Sequence, residues 1–176
     1  MILATEFLLI GFVILLSVSI VTDSSTVKLL TITAGVTLYH FAMRLAVGYI
    51  VNAIMKNKAD HNNVWFREKG FEDKLYKLIR VQKWKKFIPT YDPDTFDARK
   101  RTVNELIGAS CQAEIVHEVI MLLSLLPIAL IRFWGSAAAF IITSVLSLLI
   151  DCLFVILQRY NRPRLVRVMK RFDKLN

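Results

Sequence analysis

The sequence is poor in the residues that build disulfide scaffolds and metal sites. Cys111 and Cys152 are its only cysteines, and neither stands in a recognisable Cys–His signature. The distribution of positive charge, described below, assigns both to the cytoplasmic side, where thiols stay reduced. We therefore expect no disulfide, no metal and no cofactor, with both thiols in packing roles rather than as nucleophiles.

Apolar residues, by contrast, are abundant and gathered into long runs. They make up 55% of the 176 residues, with a mean hydropathy of +0.49, which is more than a small soluble core absorbs. A membrane-spanning helix needs about 20 apolar residues, because lipid offers its backbone no hydrogen-bond partner. The sequence predicts an all-α protein with a single membrane domain and four transmembrane helices, at about 2–21, 27–54, 115–134 and 135–157.

Two of these runs carry polar interruptions near one end. Glu6 lies near the start of the first run, which has no basic leader before it and no small-residue cleavage site after it. It therefore predicts a retained anchor rather than a signal peptide. The third run carries Glu114, His117 and Glu118 in its first turn, and we expect Pro127 to kink it.

Lysine and arginine are scarce outside two segments. The loop at 55–114 holds thirteen of the 23, and the tail at 158–176 holds seven. Because such residues stay on the cytoplasmic side, we predict a multi-pass protein of the cell membrane with the loop and both termini cytoplasmic. The net charge of +9 then faces anionic lipid head groups or an anionic substrate. Nucleic acid is a poor partner, since no groove-reading fold is visible.

The first half of the loop has the pattern of an amphipathic helix. Charged residues, Glu72 among them, occupy one side, and Trp65 and Trp84 flank the segment. The apolar side recurs at i, i+4, i+7 and i+8, at Phe71, Leu75, Leu78 and Ile79. Tryptophan with lysine and arginine is typical of a helix in the head-group region. The alternative is a soluble cap packed on the bundle.

The second half of the loop is punctuated by prolines. Pro89 and Pro93 break the chain around Tyr91, and Asp94 is available to cap a second helix. We expect that helix to continue into the third span, with a common face formed by Phe96, Val103 and Ile107.

Glu114 and His117, at i and i+3, form the first candidate site. They share one helix face at the mouth of the third span, where ionisable residues are costly and indicate function. A histidine oriented by a carboxylate can remove the proton of a hydroxyl acceptor. The alternative is a pair of interfacial polar residues. A di-iron site is a weaker interpretation, because it needs two Glu-x-x-His motifs and only one is present.

The second candidate site is the run Gln-Arg-Tyr-Asn-Arg-Pro-Arg-Leu at 158–165. Arg159, Arg162 and Arg164 supply a compact donor array suited to phosphate or carboxylate, and we expect Pro163 to end the helix. Composition alone would favour a purely topological role for these arginines.

The third candidate site lies in the second span. His40 and Arg44 are one turn apart, and His40 is expected near mid-bilayer, where it could pair with a carboxylate on another helix. A structural pair that locks the bundle is the favoured interpretation. Roles for Glu6 and Asp151 stay open.

Three motifs together resemble the glycosyl-4,4'-diaponeurosporenoate acyltransferase family. They are the run at 158–165, Ala-Glu-Ile-Val-His at 113–117 and Val-Gln-Lys-Trp-Lys at 81–85. The resemblance covers roughly 65–165 and is most specific at the first motif. The chain departs from the family pattern at Ala109, where the family has glutamate, and at Gln112, where it has arginine.

The resemblance implies transfer of a fatty acyl group to a sugar hydroxyl of a membrane carotenoid glycoside, in carotenoid biosynthesis. The implied partners are an acyl-CoA or acyl-carrier donor, a membrane amphiphile as acceptor, and the lipid bilayer. By their chemistry, His117 is the candidate base and Glu114 its orienting carboxylate. The candidate substrate-binding residues are Glu72, Trp84, Lys85, Arg159, Asn161, Arg162 and Arg164.

Ala109 leaves alternatives open. If the family's glutamate is catalytic, the chain is inactive, acts on another substrate or uses Glu105 one turn earlier. The competing function is a non-enzymatic lipid-binding or scaffold protein, in which the arginines hold phospholipid head groups.

The charge distribution yields a direct test of topology. Single-cysteine variants at Lys58, Lys100 and Lys174, made without the two native cysteines, should resist an impermeant thiol reagent in intact cells because all three positions are cytoplasmic. Permeabilised cells supply the labelling control. Efficient labelling of intact cells at any of the three positions would refute this orientation.

Overall fold

The computed structural model describes residues 1–88, 96–97, 99–172 and 174. Over that part of the chain the secondary structure is helical, with no β-strand. Pro89, Tyr91, Pro93 and Asp94, where we predicted a chain break and a helix cap, lie outside the described residues.

Four long helical segments dominate the fold. The helices are α1 (Ile2–Val21), α2 (Ser25–Met55), α3 (Glu72–Leu78), α4 (Val81–Trp84), α5 (Val103–Leu123), α6 (Ile131–Trp134) and α7 (Ala137–Phe172). Short 3₁₀ turns occupy Val64–Phe66, Lys85–Phe87 and Leu126–Leu130. Within the described residues, four segments are long and apolar enough to cross a membrane: α1, α2, Val103–Trp134 and α7. The predicted fold class, an all-α protein with four membrane-spanning helices, is confirmed.

The start of α5 is set by a capping box. The Thr102 hydroxyl lies 3.3 Å from the backbone nitrogen of Glu105, and the Glu105 carboxylate accepts from the backbone nitrogen of Thr102 at 2.8 Å. This reciprocal pair satisfies amide groups that have no partner inside the helix. The helix predicted from about Asp94 therefore begins at Val103, and it does continue into the third apolar segment.

Proline acts differently in the two long C-terminal segments. Near Pro127 the predicted kink is a break, because α5 ends at Leu123 and a 3₁₀ turn follows. At Pro163 the prediction of a helix end is wrong, since α7 continues to Phe172. Proline removes one N–H group from a helix. The ion pairs of Arg159 and Arg162, described below, hold α7 in the turn just before that gap.

The loop helix is shorter than its pattern predicted. The helix α3 has seven residues, and Glu72, which we placed on the charged solvent side, is only 5% exposed. Glu72 is buried because it pairs with an arginine. Two residues of the predicted apolar side, Phe71 and Leu78, are exposed, which is compatible with the predicted position in the head-group region. Glu72 is the residue that departs from the predicted pattern.

The chain forms two compact units. The first comprises Met1–Ile50 and Glu118–Cys152. In it, Arg44 of α2 lies 2.5 Å from the Asp151 carboxylate of α7 and donates to the Ser147 hydroxyl at 2.8 Å. Arg44, rather than His40, thus has the carboxylate partner on another helix. Because Asp151 is 1% exposed, its carboxylate needs a nearby counter-charge, and Arg44 supplies one.

The helix α1 contributes little to the interior of the first unit. None of its residues, all of which are described, is buried. Its apolar side chains face outward, as lipid contact requires. The Thr31 hydroxyl of α2 contacts the carbonyl of Leu15 at 3.2 Å, and Phe12 lies against Gly35.

The second unit comprises Val51–His117 and Leu153–Asn176. After α2 the chain turns through Lys56 and Asn57, both with left-handed backbone at φ 49° and 57°. The backbone nitrogen of Asn57 then donates to the Gln112 side chain of α5 at 2.7 Å. Gly108, one turn before Gln112, lies against the Asn57 carbonyl, and an added Cβ would collide with that oxygen.

This close approach predicts that Gly108→Ala destabilises the protein. The new methyl group meets backbone rather than a flexible side chain, and such overpacking typically costs about 1–3 kcal/mol. The melting temperature in detergent should fall. Gly48→Ala is the matched control, because Gly48 is also helical but has open space around it. Equal melting temperatures for the two variants would contradict the packing of α5 against Asn57.

Candidate functional site

One fully buried carboxylate organises the candidate site in the second unit. Glu114 of α5 has no exposed surface, and its two oxygens accept from two arginines of α7. Its Oε1 lies 2.5 Å from Nη1 of Arg159, and its Oε2 accepts from Nη2 of Arg162, which is 3% exposed. Buried charges persist only when they are paired and hydrogen-bonded. Glu114 therefore holds α5 and α7 together at this level.

Arg159 is held by a second carboxylate and by the loop backbone. Its Nε and Nη2 lie 2.7 and 2.6 Å from Oε1 of Glu72. It also donates to the carbonyls of Trp65 at 3.1 Å and Arg67 at 3.0 Å. Two carboxylates and two guanidiniums cancel in formal charge. We call this set the ion-pair cluster: Glu72, Glu114, Arg159 and Arg162.

A pair of tyrosines extends the ion-pair cluster toward the surface. The Tyr76 hydroxyl donates to Oε2 of Glu72 at 3.0 Å, and its ring meets the Tyr160 ring edge-to-face at 5.3 Å. Burial, followed by the Glu72 carboxylate, raises the pKa of Tyr76 above its ordinary value. The phenol thus stays protonated and remains a donor to Glu72.

His117 lies one turn beyond Glu114 on α5. Its half-buried imidazole stacks on the Phe154 ring of α7, with centroids 4.6 Å apart and planes 6° from parallel. Stacking on Phe154 fixes the plane of the imidazole. The i, i+3 relation to Glu114 is present in the helix, but arginines bind both carboxylate oxygens of Glu114.

The other predicted site residues lie around the ion-pair cluster with different degrees of exposure. Trp84 donates from its indole nitrogen to the Ile79 carbonyl at 2.8 Å, which closes the loop between α3 and α4. Lys85 lies over the Tyr160 ring at 5.2 Å. Asn161 is half-buried, and Arg164 is exposed. The arginine run is thus divided, with Arg159 and Arg162 directed inward and Arg164 outward.

The positions that depart from the family pattern have structural roles. Ala109 is 4% exposed, and the neighbouring Ser110 hydroxyl contacts the Gln158 carbonyl at 3.4 Å. The amide of Gln112 donates to the Asn52 side chain at 3.1 Å. Glu105 is exposed and caps α5, so its carboxylate serves the helix end.

Sequence reasoning missed three contacts of the site. Cys111 is fully buried, and its Sγ lies 3.4 Å from Nη1 of Arg162, so its packing role includes an arginine contact. Phe154 was overlooked because its partner His117 lies on another helix, and single aromatics are common in apolar helices. Tyr76 lies one turn from Glu72, but its contact with Tyr160 of α7 has no signal in the local pattern. Within the described part of the chain, no cluster of three metal-binding side chains occurs.

Comparison with known proteins gives one family match. The family model described as glycosyl-4,4'-diaponeurosporenoate acyltransferase matches residues 62–171. That range contains the whole ion-pair cluster, both tyrosines, His117 and Phe154. No curated protein and no solved structure matches significantly.

The ion-pair cluster predicts a large loss of stability for Glu114→Gln. Among the described contacts, the variant leaves the buried Arg162 without a carboxylate and Arg159 with Glu72 alone, and breaking a buried pair in this way typically costs about 3–5 kcal/mol. Thermal unfolding in detergent should show the loss. Glu68→Gln, a change at an exposed loop carboxylate, is the control and should unfold like the wild type. A Glu114→Gln variant as stable as the control would show that the pairing does not carry stability.

Proposed function

We propose an acyl-transfer function from the premise that this chain belongs to the glycosyl-4,4'-diaponeurosporenoate acyltransferase family. In this function the chain moves a fatty acyl group from an acyl thioester to a hydroxyl of a membrane-embedded acceptor. The description of the family supports acyl transfer in carotenoid biosynthesis as the proposed activity. The proposed acceptor is a glycosylated carotenoid or a similar glycolipid. The proposed donor is a soluble acyl thioester that reaches the site from the cytoplasm.

The observation that carries this proposal is the position of His117 beside a neutralised ionic cluster. The imidazole is half-buried and held flat on Phe154, one turn from the fully buried Glu114. A general base must be fixed in place and still accessible to substrate. The stacking of His117 on Phe154 and its half-burial support this role. The ion pairs of Glu114 add to it by holding α5 and α7 together at this level.

In the proposed reaction His117 acts as the general base. The imidazole takes the proton of the acceptor hydroxyl while that oxygen attacks the thioester carbonyl carbon. A C–O bond forms and the C–S bond breaks. The imidazolium then returns the proton to the departing thiolate, so that the products are an ester and a thiol.

Arg159 and Arg162 support this reaction by position rather than by direct substrate binding. Their charges are balanced within the protein by Glu72 and Glu114. Breaking those pairs to bind a substrate anion would leave a carboxylate buried and unpaired, which is strongly unfavourable. We therefore assign Glu114 to holding α5 against α7, and through α5 to positioning His117.

Replacing His117 tests the reaction directly. His117→Ala should lower the rate of acyl transfer by about a hundredfold to ten-thousandfold, because a positioned base is lost. His117→Phe keeps a ring to stack on Phe154, so it should fold normally and show the same loss. The assay follows label from acyl thioester to glycosylated carotenoid, with purified protein in nanodiscs.

His61→Ala is the matched control. His61 lies in the loop just outside the family match and should be replaceable without effect. Wild-type turnover in a well-folded His117→Phe variant would refute the base assignment. A wild type that transfers no acyl group, yet binds anionic lipid through its arginines, would favour the non-enzymatic alternative.

A further inference from the structure

A basic cleft lies in the second unit, apart from the ion-pair cluster. The cleft has a volume of about 390 Å³ and lies between the α3–α4 region and the C-terminal part of α7. That volume is within the range of small-molecule sites, about 300–1,000 Å³. Five of its lining residues are basic: Lys77, Arg80, Lys83, Arg164 and Arg167.

The cations of the cleft outnumber its carboxylates, unlike those of the ion-pair cluster. Among the described residues, none of the five takes part in an ion pair with a carboxylate. All five are exposed. Glu68 and Asp73 also line the cleft, so its formal charge is +3. Like charges this close repel one another, and an anion in the cleft would relieve that repulsion.

One wall of the cleft is a preorganised helical stripe. Tyr160, Pro163, Arg164 and Arg167 follow one another at i, i+3, i+4 and i+7, which places them on one face of α7. The Arg164 guanidinium lies 4.1 Å above the Tyr160 ring and donates to the Tyr160 hydroxyl. Nε of Arg167 donates to the Pro163 carbonyl at 3.2 Å. Both side chains are thus restrained before any ligand arrives.

The facing wall is tied to the ion-pair cluster. Tyr76 lines the cleft, donates to Glu72 and contacts the Tyr160 ring. Arg80 has a left-handed backbone at φ 51°, at the joint where α3 ends and α4 begins, and the residues flanking that joint, Lys77 and Lys83, line the same cleft. The cationic groups are therefore presented by a supported surface rather than by a free loop.

We propose that this cleft binds the phosphate groups of a small anionic ligand. The identity of the ligand rests on the proposed acyltransferase function, in which it is the phosphorylated carrier portion of the acyl thioester. Guanidinium groups bind phosphate through paired hydrogen bonds, and lysines add charge without fixed geometry. A phospholipid head group offers the same phosphate chemistry from the bilayer. The experiment separates these two sources.

The test measures binding rather than turnover, so its outcome is independent of acyl transfer. Full-length protein in nanodiscs of phosphatidylcholine is titrated with coenzyme A and with pantetheine, which lacks the phosphates. Coenzyme A should bind and pantetheine should not, and added salt should weaken the binding. The double variant Arg164→Gln/Arg167→Gln should weaken binding at least about tenfold, since two charge-assisted contacts are lost. Lys77→Gln, on the other wall, should weaken it less.

Arg171→Gln is the matched control. Arg171 is an exposed arginine of α7 that does not line the cleft, and its variant should bind coenzyme A within about twofold of the wild type. The proposed site would be overturned if the double variant and the control bound coenzyme A with equal affinity. It would also be overturned if pantetheine bound as tightly as coenzyme A. Since the substituted side chains are exposed, melting temperatures should confirm that every variant folds.

A second arm uses nanodiscs that contain phosphatidylglycerol. Suppose that the protein retains this anionic lipid, that the double variant loses it, and that no coenzyme A binds. This result would overturn the assignment to the donor and assign the cleft to a lipid head group. Coenzyme A binding in a protein that transfers no acyl group would leave the cleft standing and refute the proposed reaction alone.

Discussion

The second unit depends on the neutralisation of one carboxylate that has no contact with solvent. Glu114 accepts from Arg159 and Arg162, and Arg159 in turn fixes Glu72 and two loop carbonyls. Without Glu114, the buried Arg162 would have no carboxylate among its described partners, and Arg159 would keep Glu72 alone. The loop between the second and third long helices is therefore attached through ionic contacts, and its apolar residues Phe71 and Leu78 stay available to an apolar surface such as the membrane interface.

In the first unit, too, a buried carboxylate is neutralised by an arginine of another helix, although only one ion pair is involved. Arg44 and Asp151 belong to different helices and are otherwise surrounded along the sequence by apolar residues, so each is the natural counter-charge of the other. The Ser147 hydroxyl, which bonds both Arg44 and the Ser124 hydroxyl, completes the hydrogen bonding. In membrane proteins, where association of helices gains little from the hydrophobic effect, such pairs and close approaches of small residues specify which helices meet.

Continuity of α7 through Pro163 divides one arginine motif into two roles. An α-helix turns about 100° per residue, so the step of five residues from Arg159 to Arg164 is a rotation of about 140°. Arg159 and Arg162 consequently face α5 and the loop, while Arg164 and Arg167 face the basic cleft. Had the helix ended at Pro163, this alternation would be lost. A short motif thus supplies both the ion pairs that hold α5 against α7 and an exposed arginine of the basic cleft.

The sequence by itself determined the four apolar segments, the asymmetry of positive charge and the identity of the motif residues, because lengths, charges and local order are properties of the chain. It also predicted that the helix before the third span continues into it. Only the tertiary structure decided which charges pair, since Glu72, Glu114 and Arg159 lie up to 87 positions apart. For the same reason Glu72 was placed on the charged side of an amphipathic helix, although its pair with Arg159 of α7 makes it a buried residue. Helical periodicity can predict that one side of a helix is apolar, but the free energy of burying a charge depends on a counter-charge that only the fold brings near.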